Sequence, residues 1–320
     1  MAKTKRLVKS FYRLLFPIVI LLVLAAASAS VWLLYKMAHP ANPVYLVTPD
    51  KYGQLSSRAS QVTDENWTNK DGTRARGWLL KGSSNAPAVI LLHKYGADRS
   101  YVLNLGVKLS EATNFTVLMP DLRAHGDAPL VKIATFGGRE SEDVNSAVEF
   151  LRGLKSADEV PLAGKSIGVY GVEMGALAGL LGAGKDTSIT ALALDSAPQD
   201  SDALLAAAFT KRFPFASSVT SKLPVLGTYL YFYEGSYKRE PACETAKGLA
   251  NRQVLLLGGL DAPAFQDSTS KLAKCFPSGT KVESRTDLSP SGFSIVNASI
   301  EQSEAYDQRV IDFFRQALEQ

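Results

Sequence analysis

Three points in the sequence place charged side chains shortly after apolar runs, at Lys94, Glu173 and Asp261. Because ligands of open parallel sheets bind beyond the carboxyl ends of the strands, these side chains are predicted to meet at one cleft. Acyl transfer at such a cleft needs a hydroxyl or thiol nucleophile and a base that takes its proton. Glu173 has no hydroxyl, so ordinary acyl transfer is not expected from it.

The apolar runs before these residues are typical of buried strands in a parallel sheet, and segments with helical spacing lie between them. An alternating segment around Gly72 adds a hairpin in front. Strands are predicted at 88–92, 115–119, 167–170, 189–194, 253–257 and 281–284, and helices at 100–112, 140–154, 174–183 and 304–318. Because strands alternate with helices, the predicted fold is α/β, a mixed and mostly parallel sheet with helices on both faces.

An insertion at about 198–246 interrupts this alternation and is predicted to form a small helical lid. It is rich in aromatic residues, namely Phe209, Phe213, Phe215, Tyr229, Tyr231, Phe232 and Tyr233. Three roles for these rings are compatible with the sequence. They could line a pocket, touch a membrane surface or pack the lid on the sheet.

The order of the elements and their motifs resemble the α/β-hydrolase superfamily, in its serine aminopeptidase and esterase-like branch, over about residues 61–320. Gly-Val-Glu-Met-Gly at 171–175 resembles the nucleophile elbow Gly-x-Ser-x-Gly, a sharp turn between a strand and a helix. Glu173 stands in place of the serine. Asp261 matches the acid after a late strand, and Phe293, within Gly-Phe-Ser, stands where the histidine is expected.

The resemblance implies that the triad positions Glu173, Asp261 and Phe293 cannot run serine-hydrolase chemistry. Some relatives use a carboxylate nucleophile at the elbow and cleave the resulting ester with water that a histidine activates. Glutamate is one methylene longer than the aspartate used there, and Phe293 cannot activate water, so a covalent ester would stall. Ordinary turnover is not expected, because losing triad members costs orders of magnitude in rate. Whether the chain is an enzyme of another kind stays open.

By the same resemblance, the backbone N–H groups of Tyr95 and Met174 would bind the oxyanion, and Lys94 occupies the position of a glycine. Two arrangements are compatible with this exchange. Lys94 could pair with Glu173 across the former pocket, since a cation and a helix start both favour a carboxylate. Alternatively, Lys94 points to solvent and backbone donors alone cap Glu173.

Two histidines lie near the predicted cleft. His93 ends a buried strand, and His125 lies in an Asp-x-Arg-x-His-Gly turn at 121–126, which resembles a turn of the same superfamily. Both are predicted to be hydrogen-bonding struts rather than bases. Neither a metal nor a cofactor is expected.

The N-terminal segment predicts a membrane anchor. Residues 1–13 carry five Lys or Arg and no acid, and the following 22 residues carry no charge. A helix of that length is about 33 Å long, so 14–36 is predicted to be a transmembrane helix. The positive flank predicts a single-pass protein with a cytoplasmic N-terminus and an extracytoplasmic main domain, periplasmic if the source is bacterial. The alternative is a signal peptide cleaved among the small residues at 25–30. Residues 37–60 are interpreted as a tether.

Cys243 and Cys275 are the two cysteines of the chain. Outside the cytoplasm they could form a disulfide, and two separate thiols are the alternative. Their spacing, with no histidine nearby, is not that of a zinc site. Apart from its basic N-terminus the chain is near neutral, which argues against a nucleic-acid-binding surface.

Three functions are compatible with these features. The leading one is a catalytically degenerate hydrolase relative, held to a lipid bilayer through 14–36, that binds a small molecule or a protein at the cleft. The second is an active hydrolase of ester or peptide bonds with a rearranged site. The third is a scaffold that presents surfaces to other membrane proteins, because the fold alone does not decide function.

Overall fold

The computed structural model describes residues 2–41, 45–54, 56–215, 220–232 and 235–319. The chain forms two compact units. One contains Met1–Met37 and Leu205–Glu234, and the other contains Ala38–Leu204 and Gly235–Gln320. We call them the helical unit and the sheet unit. All three triad positions lie in the sheet unit.

Within the described residues, the sheet unit has one eight-stranded sheet in the order β1-β2-β4-β3-β5-β6-β7-β8. Its strands are β1 Thr63–Thr68, β2 Arg74–Leu80, β3 Ala86–Leu92, β4 Thr116–Pro120, β5 Ala163–Val172, β6 Ile189–Asp195, β7 Gln253–Gly259 and β8 Lys281–Leu288. β2 pairs antiparallel with β1 and β4, whereas all pairs from β4 to β8 are parallel. The predicted hairpin and the mixed, mostly parallel sheet are confirmed.

The four helices predicted at 100–112, 140–154, 174–183 and 304–318 are found in the described chain with small differences at their ends, whereas the helices at 49–52 and 263–272 were not predicted. The helices are α1 Ala2–Ala38, α2 Pro49–Tyr52, α3 Leu103–Thr113, α4 Glu140–Gly153, α5 Met174–Ala183, α6 Ser201–Arg212, α7 Lys222–Tyr231, α8 Ala242–Lys247, α9 Pro263–Leu272 and α10 Ile300–Leu318. α10 begins four residues before the predicted start at 304. The reason is a capping box, in which Ser299 and Gln302 satisfy each other's backbone N–H groups.

Strand β3 shows how the sheet is covered on both faces. Val89 and Leu91 belong to the hydrophobic cluster that contains α3 and α10. Leu92 points the other way, where it packs against Gly175 and Gly179 of α5. Because both faces of β3 are buried, its carboxyl end is held firmly between helices, and the loop that follows it starts from a fixed position.

Described residues of the segment at 37–60, predicted to be a tether, make contacts within the sheet unit. The hydroxyl of Tyr45 donates to Asp121 at 3.2 Å, and that of Tyr52 donates to Asn104 at 2.6 Å. The side chains of Tyr45 and Tyr52 also contact the hydrophobic cluster. Amphipathic tyrosines thus give the described part of this segment both an apolar contact and a hydrogen bond to the sheet unit.

The insertion between β6 and β7 is helical, as predicted, and comprises α6, α7 and α8. In the helical unit, the rings of Phe209 and Phe213 lie 4.8 Å apart. Tyr233, one of the aromatic residues of the predicted lid, lies outside the described residues. In the same unit, Leu15–Ala38 of α1 is long and apolar enough to cross a membrane.

Cys243 and Cys275 form a disulfide, with the two Cα atoms 5.3 Å apart. The disulfide alternative is therefore confirmed, and the two separate thiols are not found. The bond joins α8 to the end of α9 and closes a loop across a sequence separation of 32 residues.

Replacing both Cys243 and Cys275 by Ser is expected to lower the free energy of unfolding by about 3 kcal/mol, because the unfolded chain regains the entropy of the open loop. Urea denaturation of the full-length protein measures the change. A thiol reductant should lower the stability of the unmodified protein to the same level and leave the double variant unaffected. A double variant that unfolds at the urea concentration of the unmodified protein would contradict the expectation.

Candidate functional site

The turn between β5 and α5 has the backbone geometry of a nucleophile elbow. Glu173 has a φ of 52° and a ψ of −106°, a conformation that costs a residue with a side chain about 1–3 kcal/mol. The neighbouring positions 171 and 175 require glycine because a side chain there would collide with backbone atoms. A Cβ atom on Gly171 would lie 2.3 Å from the backbone of Gly175, and one on Gly175 would lie 2.6 Å from the carbonyl oxygen of Leu92. The elbow predicted from the sequence is therefore present, with a carboxylate at its tip.

The carboxylate of Glu173 lies against the loop that follows β3. Its Oε2 atom accepts a hydrogen bond of 2.9 Å from the backbone N–H of Tyr95, and the residue is 4% exposed. Met174, whose N–H is the other oxyanion donor implied by the resemblance, is buried at the first position of α5. The N-terminus of α5 favours a negative charge at this place. The N–H group to which the resemblance assigns the oxyanion is thus bonded to a side chain of the protein itself.

The loop that carries Tyr95 is held by two buried histidines. His93 donates from Nδ1 to the carbonyl of Lys94 at 2.8 Å and accepts at Nε2 from the N–H of Leu122 at 3.0 Å. His125 accepts at Nε2 from the N–H of Gly96 at 3.0 Å. Each ring thereby uses one nitrogen as an acceptor, which requires the neutral form. The prediction that both histidines are struts is confirmed.

Burial lowers the pKa of His93 to about 4 and that of His125 to about 3. In the unfolded chain both pKa values return to about 6.5, so the unfolded state binds more protons below that pH. The free energy of unfolding is therefore expected to fall as the pH drops from about 6.5 toward about 4, by up to about 1.4 kcal/mol per pH unit for each histidine. Urea denaturation at a series of pH values measures this slope.

The control for that slope is the variant that carries His93→Gln and His125→Gln. Glutamine offers both an acceptor and a donor but does not titrate. Its stability should fall less steeply over the same pH range than that of the unmodified protein, since neither glutamine titrates. Equal slopes in the two proteins would show that the histidines do not carry the effect.

Lys94 lies close to the position where the base is expected. Its ammonium donates a hydrogen bond to the carbonyl of Phe293 and lies 4.5 Å from the centre of the Phe293 ring and 4.8 Å from that of Tyr101. A cation over aromatic faces is stabilised by their electrons. The alternative in which Lys94 simply points to solvent is therefore wrong. The ion pair between Lys94 and Glu173 stays a prediction.

Tyr101 is hydrogen-bonded to the loop that carries Phe293. Its hydroxyl donates to the carbonyls of Gly292 at 2.6 Å and Phe293 at 2.9 Å. Burial raises the pKa of Tyr101 far above its ordinary value, and the carboxylates of Asp195 and Glu173 raise it further. The phenol therefore stays protonated and acts as a donor to the loop rather than as a base.

Asp261, at the position of the triad acid, holds the loop that carries Phe293. Its Oδ1 atom accepts from the N–H of Ser291 at 3.0 Å and its Oδ2 atom from the Ser291 hydroxyl at 3.1 Å. The ring of Phe293 packs toward Phe265, with the ring centres 6.1 Å apart. The acid thus retains its place in the fold, but it contacts a serine two residues before the position of the histidine.

Asp195 is a residue of this site that the sequence analysis missed. It is fully buried at the end of β6, and its carboxylate accepts from the hydroxyl of Ser196, the N–H of Gly292 and the hydroxyl of Tyr306 at 2.7, 2.9 and 2.8 Å. Burial raises its pKa. The signal in the sequence is an acid at the end of an apolar strand.

These contacts connect the site residues predicted from the sequence to one another, directly or through one intervening residue. Tyr95 contacts Glu173 directly and Lys94 contacts Phe293 directly, while Asp261 reaches the group through Ser291. The side chains at the three triad positions are two carboxylates and a phenyl ring. Such a set can bind charged or polar groups, but it holds neither the hydroxyl nor the imidazole of a serine hydrolase.

Comparisons with known proteins support the predicted fold. No family model matches the chain. A curated relative, the thiohydrolase aneE of Aspergillus aculeatus, is 28% identical over 103 residues, which cover 32% of this chain and 31% of that protein. The chain thus matches about a third of the length of that relative.

Solved structures match far more of the chain. The Pyrococcus furiosus esterase Pf2001 has a TM-score of 0.63 and 21% identity, covering 87% of this chain and 99% of that one. The α/β hydrolase GrgF from Penicillium sp. sh18 has a TM-score of 0.59 and 14% identity, covering 81% and 99%. A Pyrococcus horikoshii acylaminoacyl peptidase has a TM-score of 0.57 and 16% identity, covering 84% and 44%. At these identities the likeness concerns the fold.

Proposed function

Because the chain has the α/β-hydrolase fold, we propose that it is a membrane-anchored protein of this fold that has lost acyl-transfer catalysis and binds a partner with the former cleft. One observation carries the proposal. The carboxylate of Glu173 accepts the N–H of Tyr95, the donor that a hydrolase of this fold would aim at the substrate oxyanion.

The charge of Glu173 opposes acyl transfer in two ways. An oxyanion hole works because its donors point at the place where negative charge develops and cost no reorganisation during the reaction. Here a carboxylate already contacts one donor, so an acyl oxyanion would have to displace it. A second negative charge would then lie beside the first in a buried site, where repulsion is poorly screened.

The contacts around Phe293, the position where a base is expected, support the same proposal. The carbonyl of Phe293 accepts the ammonium of Lys94, so this loop receives a cation where a hydrolase needs a proton acceptor. The Asp261 carboxylate, which would orient an imidazole, is bonded to Ser291. Three changes, at the nucleophile, the base and the oxyanion loop, thus separate this site from the usual mechanism.

An active hydrolase with a rearranged site is the second candidate. The strained elbow at Glu173 and the buried glycine positions are retained, and the relatives named above include an esterase and a thiohydrolase. The charged groups at the elbow favour the binding function instead, since they occupy the positions of the reacting atoms. A partner with polar or charged groups fits such a surface better than the neutral carbonyl of an ester.

The membrane anchor is the second part of the proposal. Leu15–Ala38 is long and apolar enough to span a bilayer, and the basic residues before it favour a cytoplasmic N-terminus. Trp32 and Tyr35 near its end are typical of the membrane interface. The disulfide between Cys243 and Cys275 supports an extracytoplasmic sheet unit, because such bonds persist in oxidising compartments.

A fluorophosphonate probe tests the loss of catalysis. Incubation of the full-length, detergent-solubilised protein with the probe is expected to leave its intact mass unchanged, since the elbow presents a carboxylate rather than an activated serine. The heat-denatured protein serves as the control for non-specific labelling. An adduct that forms on the native protein and is lost on denaturation would revive the active-hydrolase candidate, and peptide mapping would then identify the serine.

A further inference from the structure

Helix α7 of the helical unit exposes an unusual amount of apolar surface. Its ten residues read Lys-Leu-Pro-Val-Leu-Gly-Thr-Tyr-Leu-Tyr, so the charge of Lys222 at its start is followed by nine uncharged residues. Leu226, Tyr229 and Leu230 are 54%, 65% and 64% exposed. Contiguous apolar surface of this kind usually marks an interaction site.

The opposite face of α7 packs against α1. A Cβ atom built on Gly227 would lie 2.5 Å from the carbonyl oxygen of Ser30, so the two helix backbones are in direct contact. The rings of Tyr35 and Tyr231 meet edge to face, with their centres 6.4 Å apart. Helices inside membranes commonly have small residues where they cross, because these let the two backbones approach each other closely.

The crossing point lies well inside the apolar stretch of α1. Leu15–Ala38 contains 24 residues and is about 36 Å long as a helix, which places Ser30 about 5 Å beyond its midpoint. The hydrocarbon core of a bilayer extends about 15 Å to each side of its centre. If α1 spans the bilayer, a helix whose backbone touches Ser30 must therefore lie at the depth of the acyl chains.

We propose that α7 is a second membrane-embedded element and that its exposed face contacts the acyl chains of the leaflet on the C-terminal side of α1. The inference rests on the membrane anchor proposed above. Ten residues of helix are about 15 Å long, half the thickness of the core, so α7 enters the bilayer without crossing it.

The polar groups of α7 are compatible with this environment. The hydroxyl of Thr228 donates to the carbonyl of Val225 at 2.6 Å, and so has a hydrogen-bond partner within the helix. A polar group in lipid needs such an internal partner, because there is no water to supply one. Tyr229, one aromatic residue of the insertion, would then touch the membrane, which is one of the three roles compatible with the sequence.

Depth-dependent fluorescence quenching tests the proposal on the full-length protein in phosphatidylcholine vesicles. Single cysteines at positions 22, 226, 230 and 260 are labelled with a polarity-sensitive fluorophore under non-reducing conditions, which leave the native disulfide closed. Lipids with a nitroxide in the acyl chain serve as the quencher. Leu22 reports on α1, and Leu260, 67% exposed in the sheet unit, is the control matched in type and exposure to Leu230.

Fluorescence at positions 226 and 230 is expected to be quenched to an extent similar to that at position 22, while position 260 keeps its emission. Adding Gly227→Ile, which separates α7 from α1, should reduce the quenching at 230 and leave that at 22 unchanged. Quenching at 22 without quenching at 226 and 230 would overturn the inference and leave the anchor intact. No quenching at 22 would instead overturn the proposed anchor, and the inference with it.

Discussion

Replacing Glu173 by Ser and Phe293 by His together is expected to raise the rate of p-nitrophenyl acetate hydrolysis about 100-fold or more above that of either single variant. The serine supplies a nucleophile on a turn that already has the strained elbow conformation. The histidine supplies the base that must take its proton. Neither residue helps without the other, because triad members act as a unit and their effects are not additive.

The single variants sharpen this expectation. Glu173→Ser alone frees the N–H of Tyr95 but leaves the serine without a base, so it should not hydrolyse the ester faster than the unmodified protein. Adding Lys94→Gly to the double variant restores the residue type expected in the oxyanion loop and should raise the rate further. Measurable turnover by Glu173→Ser, with Phe293 unchanged, would contradict the account of the base.

Replacing Gly175 by Ala is expected to lower the free energy of unfolding by about 3 kcal/mol, although it adds a single methyl group. The new Cβ atom would lie 2.6 Å from the carbonyl oxygen of Leu92 and 2.8 Å from that of His93. Both obstacles are backbone atoms of β3 and of the loop after it, and β3 is buried on both faces, so neither can move without disturbing the sheet. Urea denaturation of the full-length protein gives the size of the effect.

Gly153→Ala is the matched control for that experiment. Gly153 ends α4, and a Cβ atom there would meet nothing within 4 Å. Alanine also has the higher helix propensity, so this variant should be as stable as the unmodified protein or more stable by about 0.5–1 kcal/mol. If Gly175→Ala and Gly153→Ala unfolded at the same urea concentration, the close contact between the elbow and β3 would be refuted.

The elements of the sheet could be predicted because local patterns determine them. An apolar run at 167–170 followed by small residues is enough to identify β5 and α5, since residues 167–172 of β5 and all of α5 are buried. The histidine struts were also predictable, because His93 follows such a strand directly. The elbow was predictable for a similar reason, as its glycines are dictated by the close approach of backbone atoms.

The parts that escaped prediction depend on contacts between distant residues. Asp195 receives its donors from Gly292 and Tyr306, which lie 97 and 111 residues away. The segment around Tyr45 is held by Asp121, 76 residues away. No periodicity within a short window contains such pairs, because the fold alone brings them together.

The rate of ester hydrolysis by the purified full-length protein, compared with that of Glu173→Gln, is the most direct measure of what happens at the elbow. Glutamine keeps the shape of the side chain and removes its charge, so any catalysis by the carboxylate would be lost. We expect both proteins to hydrolyse p-nitrophenyl and thioester substrates no faster than buffer does. Turnover by the unmodified protein that Glu173→Gln abolishes would contradict the account, since it would make Glu173 a working catalytic group.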